Sequence, residues 1–363
     1  MGKRLVFYLG LLSNGNMTRD SFRKKIEIKD LLLPELAEIF QAWGEPGWRA
    51  AQFFAWIYQR GVQNFDKITD LSLPLREKIK QHFKSFIPSL EEELVSDDGT
   101  KKFLFKLEDG QLIETVHIPA DKRNTICIST QVGCKFACIF CASGRRGFKR
   151  DLRSSEILEQ ILYLQDQRGF YLTNYVFMGM GEPLDNFKAL SRAILVMNSD
   201  KGMGIAARKI TVSTCGIVPG IIALKELGLQ INLSLSLHAV RNELRSKLIP
   251  INKKYPLKEV LEACGEYNDA IGRMITFEYI LIEGVNDSKR DAEEVAIIAR
   301  RLHAKVNLIP YSPVTALNFV SPKKEKIIQF KNILREKQVH VTLRRSKGSD
   351  IQAACGQLAG RKQ

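Results

Sequence analysis

Residues 125–150 read TICISTQVGCKFACIFCASGRRGFKR, a β-prone run that ends in a loop carrying Cys134, Cys138 and Cys141. TICIST is the first of six such runs. LTNYVFMG, KITVSTC, QINLSLSL, MITFEYIL and AKVNLIP follow it in order. Each run is followed by a stretch with apolar residues at helical spacing, beginning near Ser155, Asn186, Pro219, Pro256, Lys289 and Lys323. Six β/α units in a row place the chain in the α/β class, with a parallel sheet wound into a partial (β/α)6 barrel over residues 121–348. In such folds the chemistry sits at the C-terminal ends of the strands, so the candidate residues are sought there.

Outward from the barrel, residues 101–119, KKFLFKLEDGQLIETVHIP, hold Asp109-Gly110 between two alternating runs. That pattern predicts a linking β-hairpin, residues 96–120, closed by a two-residue turn. From Asp30 to Phe83 apolar residues such as Leu36, Ile39, Phe40, Phe53, Phe54 and Ile57 recur at helical spacing, which predicts a small helical accessory domain over residues 29–95. Trp43, Trp48 and Trp56 all fall there, with Arg49, Arg60, Lys67, Arg76, Lys78 and Lys80 around them. An RNA-docking module with stacking aromatics has that composition; the tryptophans themselves are assigned to the core. Residues 1–28 are set aside as an N-terminal extension with an overextended start, Met17 opening a plainer beginning, and residues 349–363 form a C-terminal segment.

Composition narrows the function. Of 363 residues 45% are hydrophobic and 26% charged, which excludes disordered and fibrous classes. Lys and Arg number 55 against 40 Asp and Glu, a net charge of +15 that points to a polyanionic partner. Seven cysteines, an odd count spread over a long chain, do not make a secreted disulfide framework, so a reducing cytoplasm is expected. The apolar run LVFYLGLL at residues 5–12 is far short of the roughly 20 residues needed to span a bilayer, and no membrane partner is expected.

Cys134, Cys138 and Cys141 stand in C-x3-C-x2-C spacing within one loop, close enough to share a metal. Structural zinc is almost always closed by four ligands, and this loop holds neither a histidine nor a further cysteine. An iron–sulfur cluster held by three thiolates leaves one iron open to a substrate, so the cluster is the favoured reading over zinc.

The spacing with Phe140 before the last cysteine resembles the radical-SAM signature. Together with FMGMGEPLDN, TVSTCGIVP, LSLSLHAV, RSKLIPINKKYPL and the C-terminal DIQAACGQLAG, it resembles the RlmN/Cfr family of RNA adenosine methyltransferases from about residue 29 to 360, with RlmN the nearer type. The resemblance implies one 4Fe-4S cluster on Cys134, Cys138 and Cys141, its open iron chelating S-adenosyl-L-methionine. Gly181 and Glu182 would meet the methionine end, and Ser213, Ser236, Leu237 and His238 the rest of the cofactor. The family has Asn in a P-x-N-P context where this chain reads Pro310-Tyr311-Ser312-Pro313. A hydroxyl cannot copy an amide's donor and acceptor, so Ser312 is a weaker candidate. Cys215 and Cys264 receive no duty and are read as small buried hydrophobes.

The implied chemistry assigns two more cysteines. One S-adenosylmethionine methylates Cys355 and a second is cleaved to a radical that takes hydrogen from that methyl group, so two are consumed per turnover. The resulting carbon radical adds to C2 of adenine, which no ordinary displacement can reach. Cys127 then helps remove the ring proton and forms a transient disulfide with Cys355 that frees the base. Arg344, Arg345 or Lys347 would favour the thiolates, and Glu114 on the hairpin matches a position assigned as proton acceptor. Arg145, Arg146, Lys149 and Arg150 are expected to grip the RNA backbone. Implied partners are 23S ribosomal RNA, transfer RNA and an electron donor such as flavodoxin or ferredoxin, with the chain a monomer. A Cfr-type C8 methyltransferase and a non-catalytic zinc-bound RNA-binding protein are the alternatives.

Overall fold

The computed structural model describes residues 25–314, 317–344 and 346–360; the run at residues 5–12, Met17 and Arg345 lie outside them. Two compact units are present. The first joins the chain up to Ile87 with Arg153–Phe170 and Arg192–Ile205, and the second comprises Pro88–Leu152, Tyr171–Ser191 and the chain from Ala206 on.

In the first unit strand β1 (Ile26–Glu27) pairs in parallel with β2 (Phe83–Lys84), and between them run helices α1 (Leu33–Ala42), α2 (Gly47–Tyr58) and α3 (Leu73–His82). Its core is aromatic: Phe53 lies 5.9 Å from Phe40 and 5.5 Å from Phe65, ring centre to ring centre. Trp43 packs on the core, 5.4 Å from Phe40 and 5.7 Å from Phe83 between ring centres, whereas Trp48 and Trp56 depart from that assignment. Trp48 is 57% exposed beneath the Arg49 guanidinium, 4.1 Å from its ring centre. Trp56 is half-buried, stacked under Arg60 and donating through Nε1 to Asp70. An indole capped by a guanidinium keeps an apolar body and a wet edge, which lets it stay outside the core. Lys29 is fully buried and pairs with Glu159, while its Nζ also donates to Ser85 Oγ at 2.7 Å and to the Phe86 carbonyl at 3.0 Å.

The second unit is built on one ten-stranded sheet. A meander of β3 (Ser89–Val95), β4 (Lys101–Lys106) and β5 (Leu112–Ala120) runs antiparallel into β6 (Arg123–Cys127). The small β7 (Gln131–Val132) and β8 (Arg150–Asp151) pair with each other. From β6 the parallel strands β9 (Asn174–Phe177), β10 (Ile210–Thr214), β11 (Asn232–Ser236), β12 (Thr276–Leu281), β13 (Lys305–Pro310) and β14 (Val341–Leu343) follow in sequence order. All six expected strands are present in an α/β fold, and β14 is an added seventh whose three residues are too short to show a pattern. Helices α4 (Ala142–Arg146), α5 (Ser154–Leu162), α6 (Phe187–Asn198), α7 (Val218–Glu226), α8 (Asn242–Leu248), α9 (Leu257–Ile271), α10 (Lys289–Arg301) and α11 (Lys324–Glu336) occupy the connections.

Two local expectations are corrected. The hairpin is part of the main sheet, with β3 as its outer edge; the run Glu91–Glu93 that obscured this strand is what an exposed edge carries. Its turn also has three residues: Leu107 and Gln111 still pair at 2.8 Å, and Gly110 takes φ +80°. Asp109 does not share that positive φ, which a two-residue type I′ turn would require. Among the described residues no helix is long and apolar enough to cross a membrane.

Removing one partner of the buried Lys29–Glu159 pair leaves a charge with no compensation. Lys29→Met should lower stability by about 3–5 kcal/mol, read as a drop in the urea midpoint. Lys29→Met combined with Glu159→Leu should recover most of the loss.

Candidate active site

Immediately beyond β6 the chain turns into the cysteine loop, and α4 starts directly after Cys141. Cys134, Cys138 and Cys141 are half-buried and line one cavity of about 840 Å³ at the C-terminal ends of the parallel strands. Burial pushes the Cys134 thiol up to about 12 and raises Cys138 and Cys141 as well, so all three hold protons at neutral pH until a cationic centre displaces them. Among the described residues no three His, Cys, Asp or Glu side chains are close enough to enclose a single metal ion. A polynuclear cluster is gripped by donors spread around its faces, and three soft thiols on one cavity wall fit that demand.

The same cavity gathers most of the expected cofactor contacts. Gly181 takes φ +95°, and a Cβ there would run into the Gln131 side chain, so the turn before Glu182 requires glycine. Glu182 is buried, with Oε1 accepting from the Leu184 amide at 3.2 Å and Oε2 from the Cys215 amide at 2.8 Å. Burial raises its pKa and these amides oppose the rise. Ser213, Ser236 and His238 line the cavity too, whereas Leu237 is buried behind it, its amide bonded to the Glu278 carbonyl. His238 Nδ1 accepts from the Ile280 amide at 3.1 Å, and the ring meets Phe140 edge-on at 4.9 Å. Burial, with the Arg245 charge, depresses its pKa to about 3. Ser312 lines neither this cavity nor the next; its hydroxyl pairs with Ser346.

A second cavity, about 670 Å³, adjoins the first. Cys127 and Cys355 both line it, and Cys141, Met178, Arg344 and Cys355 line both cavities. The structure therefore brings Cys127, Cys355 and the cluster thiols together. Both thiols are free, so the disulfide implied between them is not formed here. Cys127 departs from the expected thiolate: burial pushes it to about 12, Cys355 adds to the rise, and Arg344 only opposes it. Cys264 is core as expected, while Cys215 lines the cluster cavity.

The segment that carries Cys355 is tied to the cluster loop. The Ala142 amide donates to the Gly356 carbonyl at 2.7 Å, Ser143 Oγ to the Leu358 carbonyl at 2.6 Å, and Arg146 to the carbonyls of Ala359 and Gly360. Glu114 completes the clamp, accepting the Ala359 amide at 2.6 Å and the Gly360 amide at 2.7 Å while pairing with buried Lys102 at 3.1 Å. These contacts change two expectations. Glu114 lines neither cavity and is committed to the C-terminal turn, so it does not face a base. Arg146 is spent on the same turn and Arg150 on Asp109, so neither side chain reaches out as an RNA grip.

Residues 26–84 match the Ribosomal RNA large subunit methyltransferase N-terminal domain, and residues 128–296 the Radical SAM superfamily. A probable dual-specificity RNA methyltransferase RlmN from Thermoanaerobacter sp. (strain X514) is 46% identical over 332 residues, covering 91% of this chain and 97% of that protein. A second, from Dictyoglomus turgidum, is 45% identical over 327 residues, covering 89% and 94%. The crystal structure of a radical SAM methyltransferase from Sphaerobacter thermophilus matches with a TM-score of 0.87 at 43% identity, covering 93% of this chain and all of that one. The chain belongs to the RlmN family of radical-SAM RNA methyltransferases.

Membership in the radical-SAM superfamily implies a 4Fe-4S cluster and S-adenosylmethionine, and the donor set above suits both. Residues that the family strings did not single out complete the site. Gln131 accepts the Glu182 amide at 2.8 Å and donates to Asp151 and Asp185. Arg245, fully buried, donates to the carbonyls of Cys215, Ser236 and Leu237 and so binds two strand ends together. It opens RSKLIPIN, and an arginine followed by Ser246 and Lys247 carries no local sign of its partners.

In cluster-free protein, nitrogen-15 spectra should show His238 neutral from pH 8 down to 4.5, while an exposed imidazole titrates near 6.5; protonation of its ring above pH 5 would contradict the burial argument. Arg146→Met should keep full iron content yet speed iodoacetamide alkylation of Cys355 by about tenfold, the worth of one charged hydrogen bond. Arg146→Lys should recover part of that protection, and an unchanged rate would place the hold elsewhere.

Proposed function

We propose that this chain methylates C2 of an adenosine in 23S ribosomal RNA and in transfer RNA, with Cys355 as the methyl carrier. One observation carries the reading: Cys355 lies where the cluster cavity meets a second cavity that also holds Cys127. The relatives, named dual-specificity RNA methyltransferases, agree with RNA substrates of two kinds.

When bound on Cys134, Cys138 and Cys141, the cluster together with two S-adenosylmethionines per turnover supplies the methyl group and the one-electron chemistry. Glu182, Ser213, Ser236 and His238 orient the cofactor along the strand ends. His238 stays uncharged through burial, so it offers a hydrogen bond without a competing cation. Cys355 presents its sulfur to that cavity and, from the same position, to the adenine. Arg344 sits beside both Cys355 and Cys127, and a guanidinium favours the anionic form of a neighbouring thiol. Cys127 would receive the ring proton, and its sulfur would then displace the methylene carbon from the Cys355 sulfur: the S–C bond breaks, its electron pair and that proton complete the methyl group, and the two sulfurs join in a transient disulfide as the base is released.

The target edge of an adenosine is hidden in a stack, so the base is splayed out into the second cavity. With Arg146 held by the C-terminal turn and Arg150 paired with Asp109 at the surface, the phosphate grip passes to other basic groups of a chain whose net charge is +15. A flavodoxin- or ferredoxin-type protein supplies the electron, and the chain works as a monomer in the cytoplasm.

Anaerobic incubation of the cluster-loaded protein with S-adenosylmethionine, a reductant and unmodified ribosomal or transfer RNA should yield 2-methyladenosine on nucleoside analysis. Cys355→Ala should keep its iron and lose the product entirely. Appearance of 8-methyladenosine would reassign the chain to the Cfr type, and a protein isolated with zinc in place of iron and sulfide would leave only RNA binding.

A further inference from the structure

Glu278 lies on β12 in register with Ser236 of β11 on one side and Asn307 of β13 on the other. Its side chain lines the cluster cavity in company with Ser213, Ser236 and Arg344. The residue is 6% exposed. Oε1 is occupied, accepting from Asn307 Nδ2 at 3.1 Å and from Ser234 Oγ at 3.4 Å. Oε2 is shielded from solvent and has no hydrogen-bond partner.

Buried carboxylate oxygens are almost always satisfied, and one left open in a cavity wall marks a place where a ligand brings the donor. The donor's nature follows from the surroundings. Phe140, Ile280 and Ile309 give the cavity apolar faces suited to a flat purine. Glu278 and the Ser236 hydroxyl form a polar patch between them, on neighbouring strands. A carboxylate is the group that receives the hydroxyls of a ribose in nucleotide sites, because it accepts from both without needing a proton of its own.

We propose that Glu278 is a ligand-binding residue that accepts the ribose hydroxyls of S-adenosylmethionine. The assignment rests on the cavity being the S-adenosylmethionine site. Burial raises the carboxyl's pKa, and the neighbouring Arg344 charge works against that rise, which keeps an acceptor available. The same arginine lines both cavities, so the ribose anchor and the two thiols share one cation.

The test is anaerobic equilibrium dialysis of cluster-loaded protein with S-adenosylhomocysteine and with its 2′-deoxy and 3′-deoxy forms. Against the unaltered protein, loss of a contacted hydroxyl should weaken binding about 10- to 100-fold, the worth of a hydrogen bond to a charged group. Glu278→Ala should bind the parent ligand more weakly by a similar factor and no longer distinguish it from the deoxy forms. Glu278→Gln, of matching size, should keep the fold and the iron content and restore part of the affinity. Equal binding of all three ligands by the unaltered protein would overturn the assignment, as would a Glu278→Ala protein that still discriminates. Failure of the cluster-loaded protein to bind the parent ligand at all would instead remove the underlying reading of the cavity, and the ribose contact with it.

Discussion

Cys355 has to place one sulfur in two cavities at once, and the site depends on how firmly its segment is held. A chain end ordinarily frays, since few contacts offset the entropy of ordering it. Here the turn after Cys355 is fastened at both carbonyls and amides: Ala142, Ser143 and Arg146 take the carbonyls, and Glu114 takes the amides. Three of those four residues stand within the first turns after Cys141. The Cys355 segment is thus fastened largely to the cysteine loop and the helix that follows it.

The opposite wall is stitched by side chains that accept or donate to backbone. A parallel sheet leaves the groups at its strand ends without ladder partners, and these must be met by other means. Glu182 accepts the Cys215 amide across from β9 to β10, and Arg245 gathers carbonyls from the ends of β10 and β11. Both charged groups are buried, and the hydrogen bonds that satisfy them hold the cavity open at a defined width. A cavity built this way is preorganised before any ligand arrives, which lowers what binding must spend on ordering it.

What the sequence disclosed, and what it withheld, divides by range. The cysteine loop, the six barrel strands and the starts of their helices were legible because each is a local pattern: thiols at fixed spacing, or apolar residues at period 2 or 3.6. The family strings brought Glu182, Ser213, Ser236 and His238 to one wall with Cys355 and Cys127 nearby. Leu237 matched the strings and Ser312 stood where the family has Asn, yet both face elsewhere, because a motif fixes chain position and not side-chain direction. Arg146 reads as one of four basic residues in GRRGFKR; only the fold shows that its partners are carbonyls more than two hundred positions away. Glu114 in LIETVHI and Glu278 in ITFEYIL each interrupt a β-prone run in the same way. Nothing local separates the one bonded to amides from the one with an open oxygen.

The two catalytic thiols differ in a way that orders their use under the proposed reaction. Cys127 is the more deeply confined, with burial and the nearby Cys355 both raising it and Arg344 alone pulling against them. Arg344 is in turn shared, its charge answering to Cys355 first and to Cys127 after Glu278. Both thiols lie in the field of that one guanidinium, and burial disfavours the anion of Cys127. Methylation converts Cys355 to a neutral thioether. Under the proposed reaction that change would leave the Arg344 charge to Cys127, whose thiol it pulls against burial. A group with a raised pKa is a strong base once it does ionise, which suits it to a ring proton that a free thiolate in water would take poorly.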